Sequence, residues 1–449
     1  MDRTLFRGAG LSFAVRIGGV AFALLAQIAL ARVLSTHMYG NYVYTIQLAG
    51  LLAVIGSLGF IQAAVRVIPM SNADGDPVHR QAFIRTGILV SVLATTVVAA
   101  TILGLTQVWG VSLEEPFRTA LLTVSILLLS ALTLLRLGQE IMRGDKRVLA
   151  AQICEQVILP GGLLCLAGMV LAAGADLQVS HVIAFQAVLT GAMAATLIIM
   201  ALRRRSAVQD STPPPPAPAG VKVWLSMGLP LAAAGLMAGF MSRGDVIVLA
   251  FIATPEEIGI YAAAARVAGL MIFGLAAVNT IAAPLFSELW HTGDRAALQS
   301  CIGSSAALTM LITLPVFAVL MLAPAPIMGL FGADFIAAAP VLRVLAVGQL
   351  INALSGPTGP LMVATGQSRA YAVLTLIGIL VTLGGILGLG SLFGLFGAAC
   401  GAALGLVWFN ASMAWRIARR TRLRSVVSRN DVRALVSQIM LRLRSRNRS

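Results

Sequence analysis

Residues 371–389 read YAVLTLIGILVTLGGILGL, nineteen positions without Asp, Glu, Lys or Arg. An α-helix rises ~1.5 Å per residue, so this segment alone is long enough for the ~30 Å hydrocarbon core of a bilayer. A strand of a membrane barrel would alternate in polarity over about 10 residues, and this run does not alternate. A second run, Phe393–Ile417, follows at once and stays uncharged until Arg416. Two helices joined by a tight turn are the expected structure.

Moving outward, the same pattern fills the chain. Of its 449 residues 58% are hydrophobic and 11% charged, with mean hydropathy +0.91, a balance that no soluble core requires. Upstream spans are predicted at Leu11–Leu34, Asn41–Ile68, Phe83–Val108, Phe117–Met142, Ala150–Gly174 and Ser180–Leu202, then Val223–Ile252, Ile258–Ser287, Ala296–Leu322 and Phe335–Met362. The fold class is therefore an all-α polytopic membrane protein with about twelve transmembrane helices. The first span, with Arg16 inside it, is read as a retained helix and not as a cleaved signal.

The charges divide the chain further. Three arginines and then Pro213–Pro216 lie within residues 203–220, a stiff linker between a six-helix lobe at 1–202 and a second at 221–417. Basic residues collect in alternate connections (Arg80 and Arg85, Arg143 to Arg147, Arg203 to Lys222, Arg295, Arg369), whereas Glu114, Glu115, Asp176, Glu256, Glu257 and Asp334 take the others, with Arg118 the one clear basic residue among them. The positive-inside rule then sets both termini in the cytoplasm.

Net charge is +15, but residues 418–449 and Arg416 supply much of it, with eleven arginines and only Asp431 as an acid from Arg416 onward. Val432, Leu435, Val436, Ile439, Met440 and Leu443 recur at helical spacing there. This tail is read either as an amphipathic helix on anionic membrane lipids or as a solvated segment that fixes topology, and nucleic acid is not the expected partner. All four cysteines lie in apolar spans, so no disulfide framework is implied.

Each half carries one copy of a short pattern. Tyr39-Gly40-Asn41-Tyr42 opens the second helix, Ile258-Gly259-Ile260-Tyr261 opens the eighth, and the same offset aligns Gly50 with Gly269. Six helices per copy make this a parallel repeat, an arrangement of transporters that alternate access between two lobes.

Ionisable side chains inside apolar helices carry the functional reading, since each costs about 2.5–3.5 kcal/mol at a helix centre. They are Arg16, Arg32, Arg66, Arg136, Arg243, Arg266 and Arg343, accompanied by Glu140, Glu155 and Asp245. The excess of cations favours an anionic passenger. Arg243 with Asp245, Arg266 and Arg343 each fall roughly 12 Å into their spans, in one layer near the midplane. Arg136 and Glu140, at i and i+4, are expected to satisfy each other. Asp245 is either an ion-pair partner of Arg266 or a cavity group, and Asp245 and Glu155 are the candidates for ion coupling. No nucleotide loop, metal-spaced ligand set or catalytic constellation occurs, so neither enzymatic activity nor a cofactor is expected.

Leu30-Ala31-Arg32-Val33-Leu34, the Tyr39–Tyr42 pattern and Gly59-Phe60-Ile61-Gln62-Ala63-Ala64-Val65-Arg66, set in two six-helix halves, resemble the polysaccharide-export flippases. These form the O-antigen (Wzx-type) branch of the multidrug/oligosaccharidyl-lipid/polysaccharide exporter superfamily. The resemblance implies two lobes around a cavity in the bacterial inner membrane that pass an undecaprenyl-pyrophosphate-linked oligosaccharide from the cytoplasmic to the periplasmic leaflet. Such a protein would serve lipopolysaccharide or exopolysaccharide assembly beside other polysaccharide-assembly proteins. It also implies that Arg16, Arg66, Arg243 and Arg266 meet the pyrophosphate and sugar acids. A multidrug cation exporter of the same fold would want acids in the cavity, and the first helix has none. A lipid II flippase would usually add two helices. A polymerase or ligase would need a long periplasmic loop, which is missing.

Overall fold

A helix needs a start, and in an all-apolar chain the few polar side chains supply it. Ser35 caps the second helix by accepting the Met38 N–H on its hydroxyl at 3.2 Å, and Asp294 caps a later one by accepting the Ala297 N–H at 2.9 Å. The structure, a computed structural model, describes residues 3–108, 127–174, 176–203, 220–428, 431 and 433, without the side chains of 3–14, 16, 17, 102, 103 and 105–108. The linker after Arg203, Glu114, Glu115, Arg118 and most of the basic tail lie outside these residues, as does the side chain of Arg16.

The helices are α1 (Arg3–Val33), α2 (Thr36–Gly56), α3 (Phe60–Ala73), α4 (Pro77–Val108), α5 (Leu129–Gly144), α6 (Val148–Ile153), α7 (Leu159–Ala173), α8 (Val179–Arg203) and α9 (Val221–Leu249). They continue as α10 (Pro255–Gly269), α11 (Ile272–Thr292), α12 (Arg295–Leu322), α13 (Pro324–Gly329), α14 (Ala339–Leu354), α15 (Thr358–Ala364) and α16 (Ser368–Thr421). No strand occurs among the described residues. Nine helical segments among them are long and apolar enough to span a bilayer, and the chain is an all-α polytopic membrane protein. The runs 371–389 and 393–417 form one of the nine, α16, whose backbone leaves helical geometry at Phe393 and Gly394.

Several expected spans are broken where the sequence reading ran them straight through. Asn41–Ile68 divides into α2 and α3 because Leu58 and Gly59 take positive φ, at 43° and 88°. Gly59 is required there twice over, by its φ and because a Cβ would overlap the backbone of Gly228 in α9. Between α6 and α7 a turn of π-helix at Cys154–Ile158 inserts an extra residue.

Contacts divide the chain into two compact units, residues 1–247 with 254–259, and 248–253 with 260–449. In the first, Phe60, Phe83 and Trp224 meet edge-on or tilted, with ring centroids 5.4–6.3 Å apart, inside a cluster that includes Leu137, Ile141, Ala194 and Leu197. The glycines of the repeated pattern have a packing reason in this same unit. A Cβ on Gly40 would overlap the Pro255 carbonyl, and one on Gly259 would stand 2.7 Å from the Thr36 oxygen. Two helix starts therefore cross with no room for a methyl group. Gly40→Val is expected to lower the yield of folded protein severalfold, since overpacking costs about 1–3 kcal/mol before any backbone shift. Size-exclusion profiles of the detergent-extracted protein check this; a wild-type peak would mean the crossing opens freely. In the second unit Phe286, Leu298, Ile302, Leu361, Met362, Met413 and Ile417 form the corresponding cluster.

Candidate functional site

Gln47 and Gly50 are three residues apart on α2, so they share one face of that helix. Two guanidinium groups converge on them within the first unit. Arg136 of α5 donates Nη1–H to the Gly50 carbonyl at 2.7 Å, and Arg243 of α9 donates Nε–H to Gln47 Oε1 at 3.1 Å. The absent side chain of Gly50 makes the approach possible: a Cβ there would lie 3.3 Å from Arg136 Nη2 and 3.4 Å from Arg243 Cζ. Two cations thus flank one point on α2, both more than half covered by protein.

Like charges at this separation repel, and the repulsion is stronger where water is scarce. The ion pairs among the described residues are Arg80–Asp145 and Arg143–Glu140, and neither includes Arg136 or Arg243. Glu155, in the π-turn, is within electrostatic range of both guanidinium groups without pairing either. Each guanidinium has five N–H donors in a planar fork and uses one of them in a hydrogen bond within the described residues. The remaining donors and the charge left unpaired among the described residues suit a doubly charged, oxygen-rich anion such as a phosphate ester.

The other sequence-derived positions differ in exposure. Arg66 on α3 and Arg343 on α14 are exposed, Arg266 on α10 is half-buried, and Glu155 is exposed. Asp245 is half-buried, and its Oδ1 accepts the Val246 N–H at 2.8 Å. Arg32 is exposed at the end of α1. The expected Arg136–Glu140 pair does not form. Glu140 pairs with Arg143, one residue closer along the helix and nearer its own end, which leaves Arg136 to reach across to α2. In the sequence nothing singles out Gln47, and Gly50 is marked only through the repeat. The alignment of Gly50 with Gly269 was the available signal, although nothing within 4 Å faces a Cβ at Gly269.

A second polar constellation holds four segments of the first unit. Arg80 donates Nη2–H to Asp145 Oδ2 at 2.7 Å and Nη1–H to the Ala201 carbonyl at 2.8 Å, and Asn72 Nδ2–H donates to Asp145 Oδ1 at 2.9 Å. Arg80 is only 3% exposed. In the sequence it is one of several loop cations, since a buried ion pair whose partners stand 65 residues apart leaves no local trace.

The fold is of a class already solved. The structure of the lipid II flippase MurJ in an inward closed conformation matches with a TM-score of 0.71 at 15% identity, covering 96% of this chain and 92% of that one. An inward-facing multidrug resistance MATE family transporter of the MOP superfamily matches with a TM-score of 0.67, also at 15% identity, over 89% of this chain and 94% of that one. At such identity the likeness defines the architecture, a MATE- and MurJ-like bundle. Residues 5–290 match the family described as polysaccharide biosynthesis protein, and the chain belongs to that family. It is also 30% identical over 167 residues to the probable low-salt glycan biosynthesis flippase Agl15 of Haloferax volcanii. That match covers 37% of this chain and 35% of the relative, so the chain spans about a third of the curated relative's length.

Proposed function

We propose that the chain is a flippase for a lipid-linked oligosaccharide, carried from the cytoplasmic to the periplasmic leaflet by alternating access, with undecaprenyl pyrophosphate as the lipid carrier. The observation that carries this reading is the Arg136–Arg243 pair at Gly50, two half-buried forks at one place with no carboxylate paired to either among the described residues. A pyrophosphate has two adjacent charged groups, one for each fork. Membership of the polysaccharide biosynthesis family and the name of the haloarchaeal relative agree with a glycan as cargo. A cation exporter would be penalised by the same two arginines.

On this reading Arg16, Arg66, Arg266 and Arg343 are further cargo contacts along the path, and Glu155 and Asp245 are the groups for an ion-coupled step. The lobes are 1–202 and 221–417 joined by 203–220, and the basic tail 418–449, apart from the residues packed on the protein, rests on anionic lipid at the cytoplasmic face of the inner membrane. The protein performs no covalent chemistry and needs no cofactor.

Deleting the gene tests the reading. Lipid-linked repeat units are expected to accumulate in the inner leaflet and surface glycan to disappear. Unchanged glycolipid together with altered drug sensitivity would overturn it. Arg266→Ala and Arg343→Ala are each expected to abolish surface polysaccharide at normal protein level, measured by glycan blot beside a tagged-protein blot. Wild-type glycan in both variants would remove these two residues from the path.

A further inference from the structure

Beyond α16 the chain turns back over the second unit. Arg422 takes a left-handed conformation, φ 59°, and ends the helix. Leu423 is then buried in the cluster that contains Phe286, Leu361, Met362 and Ile417. Gln299 of α12 accepts the Arg424 N–H at 2.8 Å and donates Nε2–H to the Arg424 carbonyl at 3.0 Å, so one side chain holds both polar groups of that residue. Asp431 accepts from Ser428 N and Oγ at 2.9 and 2.6 Å, and its carboxylate lies against Gly303 of α12, where a Cβ would come 2.7 Å from Asp431 Cγ.

The same segment also reaches the break between α14 and α15. Leu354 is the last residue of α14, and the N–H of Thr358, four residues on, bonds instead to the Gly356 carbonyl. The Leu354 carbonyl is therefore one of the acceptors that a helix end leaves over. Val427 N–H supplies it with a partner at 3.1 Å. Gly356, at φ +73°, keeps the necessary space, since a Cβ there would overlap the Ser425 carbonyl.

We propose that residues 422–428 with Asp431 form a strap that fixes the α14–α15 break, and that undocking this strap frees the break to flex. The break needs an outside donor because a tight Gly-Pro turn cannot complete its own hydrogen bonds. The strap is fastened by a few hydrogen bonds and one leucine, so it opens far more readily than the helices beneath it. This assignment stands apart from the nature of the cargo.

Hydrogen–deuterium exchange of the full chain in lipid nanodiscs tests it, comparing wild type with Gln299→Ala and Asp431→Ala. Both variants are expected to raise amide exchange about tenfold in residues 422–428 and also in 351–361, with 230–245 of α9 unchanged. Faster exchange in the strap alone would make it a passenger and overturn the proposal. So would unchanged exchange in both segments, or an equal rise that includes α9.

Discussion

Arg243→Ala is expected to lower surface glycan at least tenfold at unchanged protein level, and Arg136→Ala to do the same. A hydrogen bond to a charged group contributes about 1.5–3 kcal/mol, which corresponds to roughly a tenfold or larger loss for each fork removed from a phosphate-bearing cargo. Arg243 is held by Gln47 and Arg136 by the Gly50 carbonyl, so the two reach the same point from different helices. The double variant is accordingly expected to be little worse than either single one, as for groups that act as a unit. Arg243→Lys should not restore export, because a single ammonium cannot bond Gln47 and also present a planar fork. Glycan blots of a deletion strain complemented with each variant provide the measurement. Wild-type glycan in both alanine variants would show that the pair at Gly50 serves the fold and not the cargo.

Asp145→Ala is expected to cost about 3–5 kcal/mol of stability, because it leaves the buried Arg80 guanidinium without its counter-ion and Asn72 without its acceptor. Among the described residues Arg80 would keep only its bond to the Ala201 carbonyl. Replacing the pair together, Arg80→Met with Asp145→Leu, should recover most of the loss, since matched apolar groups avoid burying a lone charge. Thermal unfolding in detergent separates the outcomes. A single variant as stable as wild type would mean that water reaches Arg80 and the pair is not a fastening of α4 to the end of α5.

The two arginine systems differ in what each asks of its neighbours. Arg80 has a carboxylate at 2.7 Å and a purely structural explanation. Arg136 and Arg243 face each other across a glycine with Glu155 at a distance, and a fold seeking only stability would have brought that carboxylate into contact or used apolar side chains.

The sequence by itself determined that the chain is a bundle of membrane helices. Runs such as 371–389 are uncharged over a bilayer's thickness, and their backbone has no alternative to internal hydrogen bonds in hydrocarbon. It also marked Gly40 and Gly259 as equivalent, and Arg243 as a charge that needs a reason. Only the tertiary structure decided which charges meet. Arg136 could close locally on Glu140, and nothing in the spacing says that Arg143 takes Glu140 first or that Gly50, 86 residues away, offers its carbonyl instead. Local pairing is readable because helix geometry fixes which neighbours face each other. The choice between local and distant partners is made by packing, which brings α2, α5 and α9 to one point where two cations share a gap the width of a missing methyl group.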